Sequence, residues 1–486
     1  MLKALLFMPV VGAVLLGVLP PRLARWQWPL ALIVAVSCVG MAGALLWHFD
    51  PAGASIQFFD SRAWNARLGS SFALGVDGIS LAMLVLTAVL TLAAVLVSRD
   101  MAKAGRLYYV LLMLLESAMF GVFSARDWSL FYVFWEATLL PLFFLIDRLG
   151  GVNRQSAALN FFLYTLGGSV FMLVALLFLY DAAPGHSFAM LDMAEGGRSL
   201  SLNMQLLIFA GLFIGFAVKM PVVPLHGWLP LAHVEAPGPV SLLLSGVLLK
   251  MGAYGLIRAL ETLPDAFVHV QGWLALLGFV SLLYGSLLSW RQQDLKAMVA
   301  YASIAHMGLV LLGIATMNAA GLRGALIQMV AHGLAAGLLF LLVGALYERT
   351  HSRDLADYAG AGTRLPRFAT MMSFALLAAA GLPGSAGFVA ELYVLLGVWP
   401  QWSGWVICLG LAMLVSAAAS LRVMGLFNRA APDVPGKAHA VSDLSHTEWL
   451  AAAGLALPIV ALGVWPQPLL SLLDGGVARI VALFAS

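Results

Sequence analysis

Long apolar segments follow one another along almost the whole chain and leave few folds open to it. Hydrophobic residues make up 62% of the 486 residues and charged residues only 10%. An α-helix needs roughly 20 apolar residues to cross a bilayer, and lipid leaves only helices to satisfy the backbone of such segments. We therefore expect an all-α integral membrane protein with about fourteen transmembrane helices. The expected spans are residues 2–20, 28–48, 74–98, 106–124, 127–147, 157–180, 204–229, 239–261, 267–289, 294–315, 321–347, 367–397, 402–427 and 446–465, followed by a short amphipathic segment at the interface after Gln467.

The composition also excludes several classes of protein. A net charge of +3 without any basic tract offers no surface for nucleic acid. Cys38 and Cys408 lie in apolar runs, and no CxxC pattern could hold an iron–sulfur cluster or a haem. Phosphate-binding glycine motifs are missing as well. We expect neither a cofactor nor a metal in this chain.

The basic residues of the connecting segments predict the orientation in the membrane. Sixteen of them fall in odd-numbered connections and six in even-numbered ones. Cytoplasmic loops carry the excess of Lys and Arg, so the odd-numbered connections should face the cytoplasm. With fourteen spans, both termini would then lie outside.

Proline and glycine interrupt two of the apolar segments. Pro221 and Pro224 interrupt the seventh segment, and residues 381–387 (GLPGSAG) interrupt the twelfth. Proline removes a backbone donor and clashes one turn back, so we expect a broken helix in each. The breaks lie five spans apart, which predicts two inverted five-helix repeats, spans 4–8 and 9–13, of the kind that form transporter sites near the midplane. The predicted units are residues 1–104, 105–265, 266–430 and 431–486. Alternatively, the prolines only kink packed helices.

Four ionisable residues lie deep in apolar segments: Glu136, Lys219, Lys250 and Glu391. Placing such a charge at the centre of a transmembrane helix costs about 2.5–3.5 kcal/mol on insertion scales. Each residue must therefore face a partner or water. We expect Glu136 and Lys219 to form an ion pair, whereas none of the arginines lies comparably deep. Lysine, unlike arginine, can release its proton when buried. These residues predict proton transport; the alternative is a static pair that fixes helix register.

Histidines lie in the middle of two consecutive spans. His306 and His332 could gain and lose protons near neutral pH and thus act as relay steps between the lysines and Glu391. The alternative is a packing role for both. Glu116 is a further candidate with weaker context. His226 and His233 fit a folded loop on the cytoplasmic side better than a metal site, and their role stays open.

Three motifs carry a resemblance to a known family. The stretches FAVKMPVVPLHGWLPLAHVEAPGPVSLLLSGVLLKMGAYGLIR, DLKAMVAYASIAHMGLVLLG and QMVAHGLAAGLLFLLVGALYERTHSRD resemble the antiporter-like subunits of respiratory complex I and of the Mrp-type cation/proton antiporters. The resemblance covers most of residues 105–430. Within this superfamily the chain is most similar to the M-type branch of bacterial NADH:quinone oxidoreductase, the counterpart of mitochondrial subunit 4. The FYVFWEATLLP form around Glu136, the HSRD loop, and Glu391 at a position where the other branches usually have lysine favour that branch.

The resemblance implies a role for each buried residue. Glu136 and Lys219 would tune the protonation site of a first half-channel, and Lys250 would pass the proton toward the middle. His306 and His332 would lie on a hydrated central axis, and Glu391 would be the terminal site of a second half-channel.

The resemblance also implies the setting. The chain would be a non-redox subunit of a translocase in the bacterial inner membrane. Flavin, iron–sulfur clusters and quinone would belong to partner subunits. Its partners would be the L- and N-type antiporter-like subunits, small membrane subunits and lipid.

Two departures from the family leave the identity of the host complex open. Leu231 replaces a common acidic residue, and residues 238–241 (GPVS) replace a Thr-x-x-Ser-Val-like segment. An Mrp-type antiporter subunit, or a membrane subunit of a hydrogenase or an inorganic-carbon uptake complex, is therefore an alternative. A non-conducting scaffold of the membrane arm is another.

Overall fold

The computed structural model describes residues 1–53, 56–99, 105–429 and 441–484. Most of these residues form α-helices, and a β-hairpin precedes the third helix. The elements are α1 (Leu2–Val18), α2 (Gln27–His48), β1 (Gln57–Asn65), β2 (Ser70–Val76), α3 (Gly78–Val97), α4 (Arg106–Ser124), α5 (Trp128–Ala137), α6 (Leu139–Leu149), α7 (Arg154–Ala182), α8 (Met190–Ser199), α9 (Leu202–Lys219), α10 (Trp228–Glu235), α11 (Gly238–Leu243), α12 (Leu249–Thr262), α13 (Pro264–Arg291), α14 (Leu295–Ala315), α15 (Ala319–Thr350), α16 (Pro366–Ala379), α17 (Ala386–Trp402), α18 (Trp405–Phe427), α19 (His446–Val464) and α20 (Gln467–Val481).

The helical membrane class predicted from the sequence is confirmed. Among the described residues, thirteen helices are long and apolar enough to cross a membrane. The first predicted span, α1, is an apolar helix of 17 residues, and the twelfth consists of the two helices α16 and α17. The tail after Gln467, expected as a short interfacial segment, forms α20, which packs against α3 and α15. Together with the turn that follows it, α20 has the length and composition of a span.

The β-hairpin was not predicted. Strands β1 and β2 pair antiparallel between α2 and α3, and the turn between them contains Gly69 at a positive φ of 57°. The ammonium of Lys3 on α1 lies 2.6 Å from the carboxylate of Asp60 on β1 and, through this bond, holds the pKa of Asp60 below its ordinary value. The hairpin marks one end of the helix bundle, called here the hairpin end.

Helix α15 forms the centre of the molecule. It packs against α3, α11, α14, α16, α17, α19 and α20, and its apolar stretch is wholly buried. Segment 238–262, which contains α11 and α12, is also buried throughout. The peripheral helices α18 and α19, in contrast, bury less than a third of the residues in their apolar stretches. Polar groups on α12, α14 and α15 are therefore enclosed by protein and not by lipid.

Both predicted helix breaks are confirmed. Helix α9 ends at Lys219 before Pro221 and Pro224, and α10 begins only at Trp228. Helix α16 ends at Ala379, and α17 begins at Ala386 after a turn in which Gly381 has a φ of 74°. The inverted arrangement of the two halves stays a prediction. The predicted unit boundaries at 104 and at 430–431 lie outside the described residues. So do Lys103 and Lys437, two of the basic residues counted in the odd-numbered connections.

A third interruption was not predicted. One π-helical turn, Leu244–Leu248, joins α11 to α12 and directly precedes Lys250. Such turns are rare, they often occur at functional sites, and they leave a main-chain carbonyl without its usual helical partner. The turn contains Ser245 and Gly246, a pair that can mark a helix distortion, but the apolar run around it predicted one continuous span.

Candidate functional site

Lys219 is the last residue of α9 and is 1% exposed. Its ammonium donates a hydrogen bond to the hydroxyl of Thr138 (3.2 Å) and lies 5.2 Å from the ring centre of Trp135. The proline-rich break ends the helix at this residue, and a positive charge is favourable at a helix C-terminus. The break therefore holds a buried cation where the helix dipole and an aromatic face both stabilise it.

Glu136 is the last residue but one of α5, two positions before Thr138 at the junction with α6. The hydroxyls of Tyr132 and Ser169 lie beside its carboxyl group, and its Oε1 atom has no hydrogen-bond partner in the described chain. The expected ion pair with Lys219 is not formed in this structure, because the ammonium is bound to Thr138, the residue at the α5–α6 junction. The two charges still lie close enough to interact electrostatically.

Lys250 is fully buried immediately after the π-helical turn. Its ammonium donates a hydrogen bond to the carbonyl oxygen of Ser245 (2.6 Å), within that turn. It also lies 2.6 Å from Nδ1 of His332 on α15. No acidic residue pairs with Lys250 among the described residues. Its ammonium is therefore stabilised by hydrogen bonds and not by a counter-charge.

His332 continues the contact toward α14. Its ring centre lies 5.1 Å from that of His306, with the rings tilted by 62°, and Nε2 of His332 has no hydrogen-bond partner in the described ranges. Nε2 of His306 lies 3.1 Å from the carbonyl oxygen of Ala379, the last residue of α16. The two histidines thus connect Lys250 to the second helix break.

A small cavity lies at this second break. Its volume is about 20 Å³, and its lining includes Gln328, His306, His332 and Glu391. A space of this size holds about one water molecule. Glu391 itself packs against Gly381, where an added Cβ would come within 2.1 Å of its Oε2. The glycine-rich break thereby lets the chain turn closely around the carboxyl group.

The six predicted site residues therefore fall into two groups. Lys250, His306, His332 and Glu391 lie next to one another in one region along α12, α14, α15 and α17, called here the polar region, in which a hydrogen bond joins Lys250 to His332, the rings of the two histidines are in contact, and both histidines line the cavity beside Glu391. Glu136 and Lys219 form a second centre around the first helix break. In the part of the chain that the structure describes, no hydrogen bond joins the two groups.

Several buried polar residues were misplaced or missed by sequence reasoning. His233, expected in the loop or half-helix after the first break, lies on α10, is fully buried against the ring of Phe340 (4.3 Å), and has no hydrogen-bond partner for either nitrogen among the described residues. Lys296 was counted among the basic residues of the odd-numbered connections, although the predicted span 294–315 includes it. It is buried on α14 and donates to the carbonyl oxygen of Ala236 (2.7 Å).

The other residues left open are separate from these two groups. His226 is half-buried, with its ring 5.1 Å from that of Tyr284. Glu116 is fully buried on α4, and neither of its carboxyl oxygens nor the hydroxyl of Thr91 has a hydrogen-bond partner in the described chain.

Arginine is also buried, contrary to expectation. Arg258, counted among the basic residues of the even-numbered connections although the predicted span 239–261 includes it, lies on α12 at the hairpin end and is 2% exposed. It forms a two-pronged ion pair with Asp77, with both nitrogen–oxygen distances 2.7 Å. The five charged residues that meet here, Asp77, Arg126, Arg258, Glu261 and Arg479, are called the hairpin-end cluster. The sequence did not predict this cluster, because its members are far apart along the chain: Asp77 and Arg479 are separated by 402 residues.

Comparison with known proteins decides the family. The family model described as "NADH:quinone oxidoreductase/Mrp antiporter, TM" matches residues 125–417. The chain belongs to this family. It is 38% identical to NAD(P)H-quinone oxidoreductase chain 4 2 of Thermosynechococcus vestitus, over 96% of this chain and 89% of the relative. It is 40% identical to NAD(P)H-quinone oxidoreductase chain 4 1 of Synechococcus sp. strain JA-3-3Ab, over 96% of this chain and 90% of the relative. The resemblance to the subunit 4 branch is thus confirmed.

Solved structures agree with the family assignment. A chain of respiratory complex I from Thermus thermophilus with bound NADH superimposes with a TM-score of 0.89 and 30% identity, and the match covers 100% of both chains. A chain of the Mrp complex from Dietzia sp. has a TM-score of 0.86 at 21% identity, covering 100% of this chain and 99% of that one. The second likeness shows a shared fold. All three motif stretches of the sequence analysis fall within the region that the family model matches.

Proposed function

We propose that this chain is a proton-translocating, non-redox subunit in the membrane arm of an NAD(P)H:quinone oxidoreductase complex. The observation that supports this most is the polar region from Lys250 through His332 and His306 to the cavity beside Glu391. Lysine, histidine and glutamate can each accept and release a proton, and the cavity has room for a linking water. A chain of such groups, enclosed by protein at the centre of the bundle, suits proton transfer better than a structural role.

The proposed mechanism is electrostatic. A charge change in a neighbouring subunit moves Glu136 relative to Lys219, so that their pair forms or separates and the proton affinity of Lys219 changes. A shift in charge at Lys219 then acts on Lys250 and drives its proton through the histidines to Glu391. In this structure Lys219 is bound to Thr138, which corresponds to the separated state of the pair.

The energies required are of suitable size. Moving one charge against 100 mV takes about 2.3 kcal/mol. A change of one pKa unit corresponds to about 1.4 kcal/mol, and a neighbouring charge changes a pKa by 1–3 units. Forming and breaking one buried pair can therefore drive one proton across the membrane.

The setting proposed for the chain follows from its family. The redox groups, namely flavin, iron–sulfur clusters and quinone, belong to partner subunits, and the neighbours in the membrane are L- and N-type antiporter-like subunits and small subunits. We propose a bacterial inner membrane location with both termini outside. The two predicted repeats, residues 105–265 and 266–430, would each supply one half-channel.

Substitution of Lys219 tests this function. The complex carrying Lys219→Ala, reconstituted in liposomes, should oxidise NAD(P)H while its proton uptake falls, because the pair that sets the proton affinity is gone. Lys219→Arg is the matched control: it keeps the charge but cannot release a proton, and it should also pump poorly. Normal pumping by an assembled Lys219→Ala complex would contradict the proposal and favour a scaffold. Pumping that requires Na⁺ in the wild type would favour an Mrp-type cation/proton exchange.

A further inference from the structure

Helix α12 connects Lys250 to the hairpin end in two turns. Lys250, Tyr254 and Arg258 are spaced four residues apart and therefore share one face of the helix. All three are buried. Eight residues of α-helix rise about 12 Å. This is the length of protein that separates Lys250 from Arg258.

A continuous hydrogen-bonded network fills most of that length. The hydroxyl of Tyr254 lies 2.9 Å from the hydroxyl of Ser80. Ser80 accepts hydrogen bonds from Arg258 (3.0 Å) and from Arg126 (3.1 Å). Arg258 is in turn bound to Asp77. Only the step from Lys250 to Tyr254 lacks a hydrogen bond among the described residues.

A polar cavity lies on the other side of this network. Its volume is about 230 Å³, and its lining includes Arg126, Arg198, Glu261 and Arg479. This volume holds several water molecules. Water at the hairpin end therefore reaches the arginines, and a proton in that water lies little more than two helical turns from Lys250.

The arginines of the network cannot relay a proton. Arginine keeps its proton in any protein environment, so a proton could pass only by way of water and the hydroxyls of Ser80 and Tyr254. The hairpin-end cluster contains three arginines and two carboxylates and so carries one surplus positive charge. Fixed positive charge in a narrow polar passage excludes protons and other cations.

We propose that the hairpin-end cluster is an electrostatic barrier that prevents proton exchange between the polar cavity and Lys250. The barrier leaves a proton on Lys250 with one way out, through His332 toward Glu391. Without it, the short network along α12 would let the pump leak. This inference deepens the proposed function and rests on it for the role of Lys250.

Passive proton leak tests the barrier without any turnover. The whole complex is reconstituted in liposomes with a trapped pH indicator, and a potassium gradient with valinomycin imposes a potential in the absence of NAD(P)H. Arg479→Gln removes the surplus charge while Asp77 keeps Arg126 and Arg258 as partners. One unit charge about 10 Å from the path, at an effective dielectric of about 20, changes passage roughly tenfold. We expect a leak of that size, and a larger one for Arg126→Gln/Arg479→Gln.

One control separates charge from packing. Arg479→Lys keeps the positive charge and should leave the leak at the wild-type value. Equal leaks in Arg479→Gln and Arg479→Lys, or an unchanged leak in Arg479→Gln, would overturn the barrier. Should the double variant fail to assemble, the single one decides.

A last variant ties the leak to Lys250. Adding Lys250→Met to Arg479→Gln should abolish the leak, since the proton would lose its acceptor. A leak that persists would show that protons bypass Lys250 and would overturn the proposal. Because this assay needs no electron transfer, its failure is distinct from a failure of the pumping experiment on Lys219.

Discussion

The hairpin-end cluster and the central polar region both bury charge, but they do so in opposite ways. At the hairpin end, Arg258 meets Asp77 in two short bonds, and Arg479 bridges Asp77 and Glu261. In the central region, Lys250 has only a carbonyl oxygen and a neutral histidine nitrogen as partners. Paired charges stay ionised and hold the structure together. A buried charge without a counter-charge can be neutralised by losing its proton, which is what a relay requires.

The largest difference should appear when each region loses one charge. Asp77→Ala leaves buried arginines without their carboxylate, and breaking a buried pair in this way costs about 3–5 kcal/mol. We expect a clear loss of stability in the thermal unfolding of the purified complex. The matched control is Asp60→Ala on the exposed hairpin, which should leave the unfolding temperature unchanged. Equal unfolding temperatures for Asp77→Ala and Asp60→Ala would show that the hairpin-end cluster does not stabilise the fold.

Replacing Lys250 by methionine should have the reverse outcome. The side chain keeps its approximate length and loses a charge that has no acidic partner in the described chain, so the unfolding temperature should stay the same or rise. Proton uptake per NAD(P)H oxidised should fall, because transfer by a positioned acid or base contributes on the order of 10²-fold in rate. Parallel measurement of melting and pumping checks both halves of this expectation. A destabilised but fully pumping variant would reverse our assignment.

A smaller effect is expected from Gly381→Ala. The new methyl group would meet the carboxyl of Glu391, and the residue would also have to adopt a positive φ of 74°. The backbone strain amounts to roughly 1–2 kcal/mol. Pumping should weaken severalfold without any change in charge. Gly384→Ala, where φ is 91° but an added Cβ meets nothing within 4 Å, is the control for strain alone.

The smallest effect should come from Glu116→Met. This carboxyl is buried on α4 with no hydrogen-bond partner for either oxygen in the described ranges, and it lies outside both groups of site residues. Replacing such a group by an apolar one of similar volume is commonly neutral or stabilising. Pumping should be unchanged in the vesicle assay. A loss of pumping would add Glu116 to the relay.

The sequence predicted those features that depend on neighbouring residues. Apolar runs of about 20 residues predicted the helices, and the prolines and glycines at 221–224 and 381–387 predicted both breaks. Glu391 and His332 could be singled out because an ionisable residue within an apolar transmembrane segment carries a free-energy cost that a function must justify. Such signals are local, so a single chain displays them without any knowledge of its packing.

Features that depend on distant partners could not be predicted. The bond between Lys219 and Thr138 replaces the expected pair because a helix junction places one hydroxyl within reach. Arg258 lay near the end of a predicted span, and nothing in the sequence pointed to Asp77, 181 positions away, as its partner. In both cases the deciding contact crosses between helices whose order in space the sequence does not specify. The π-helical turn before Lys250 is a different case, because its Ser245–Gly246 pair can distort a helix but lies within one long apolar run.

The cavity beside Glu391 has a consequence for selectivity. A space of about 20 Å³ admits a single water molecule. A sodium ion would have to strip off its hydration shell to enter, because the space holds about one water. A proton needs no such room, since it hops along one water and then leaves that molecule to rotate before the next transfer. We therefore expect the narrow cavity to favour protons over hydrated cations.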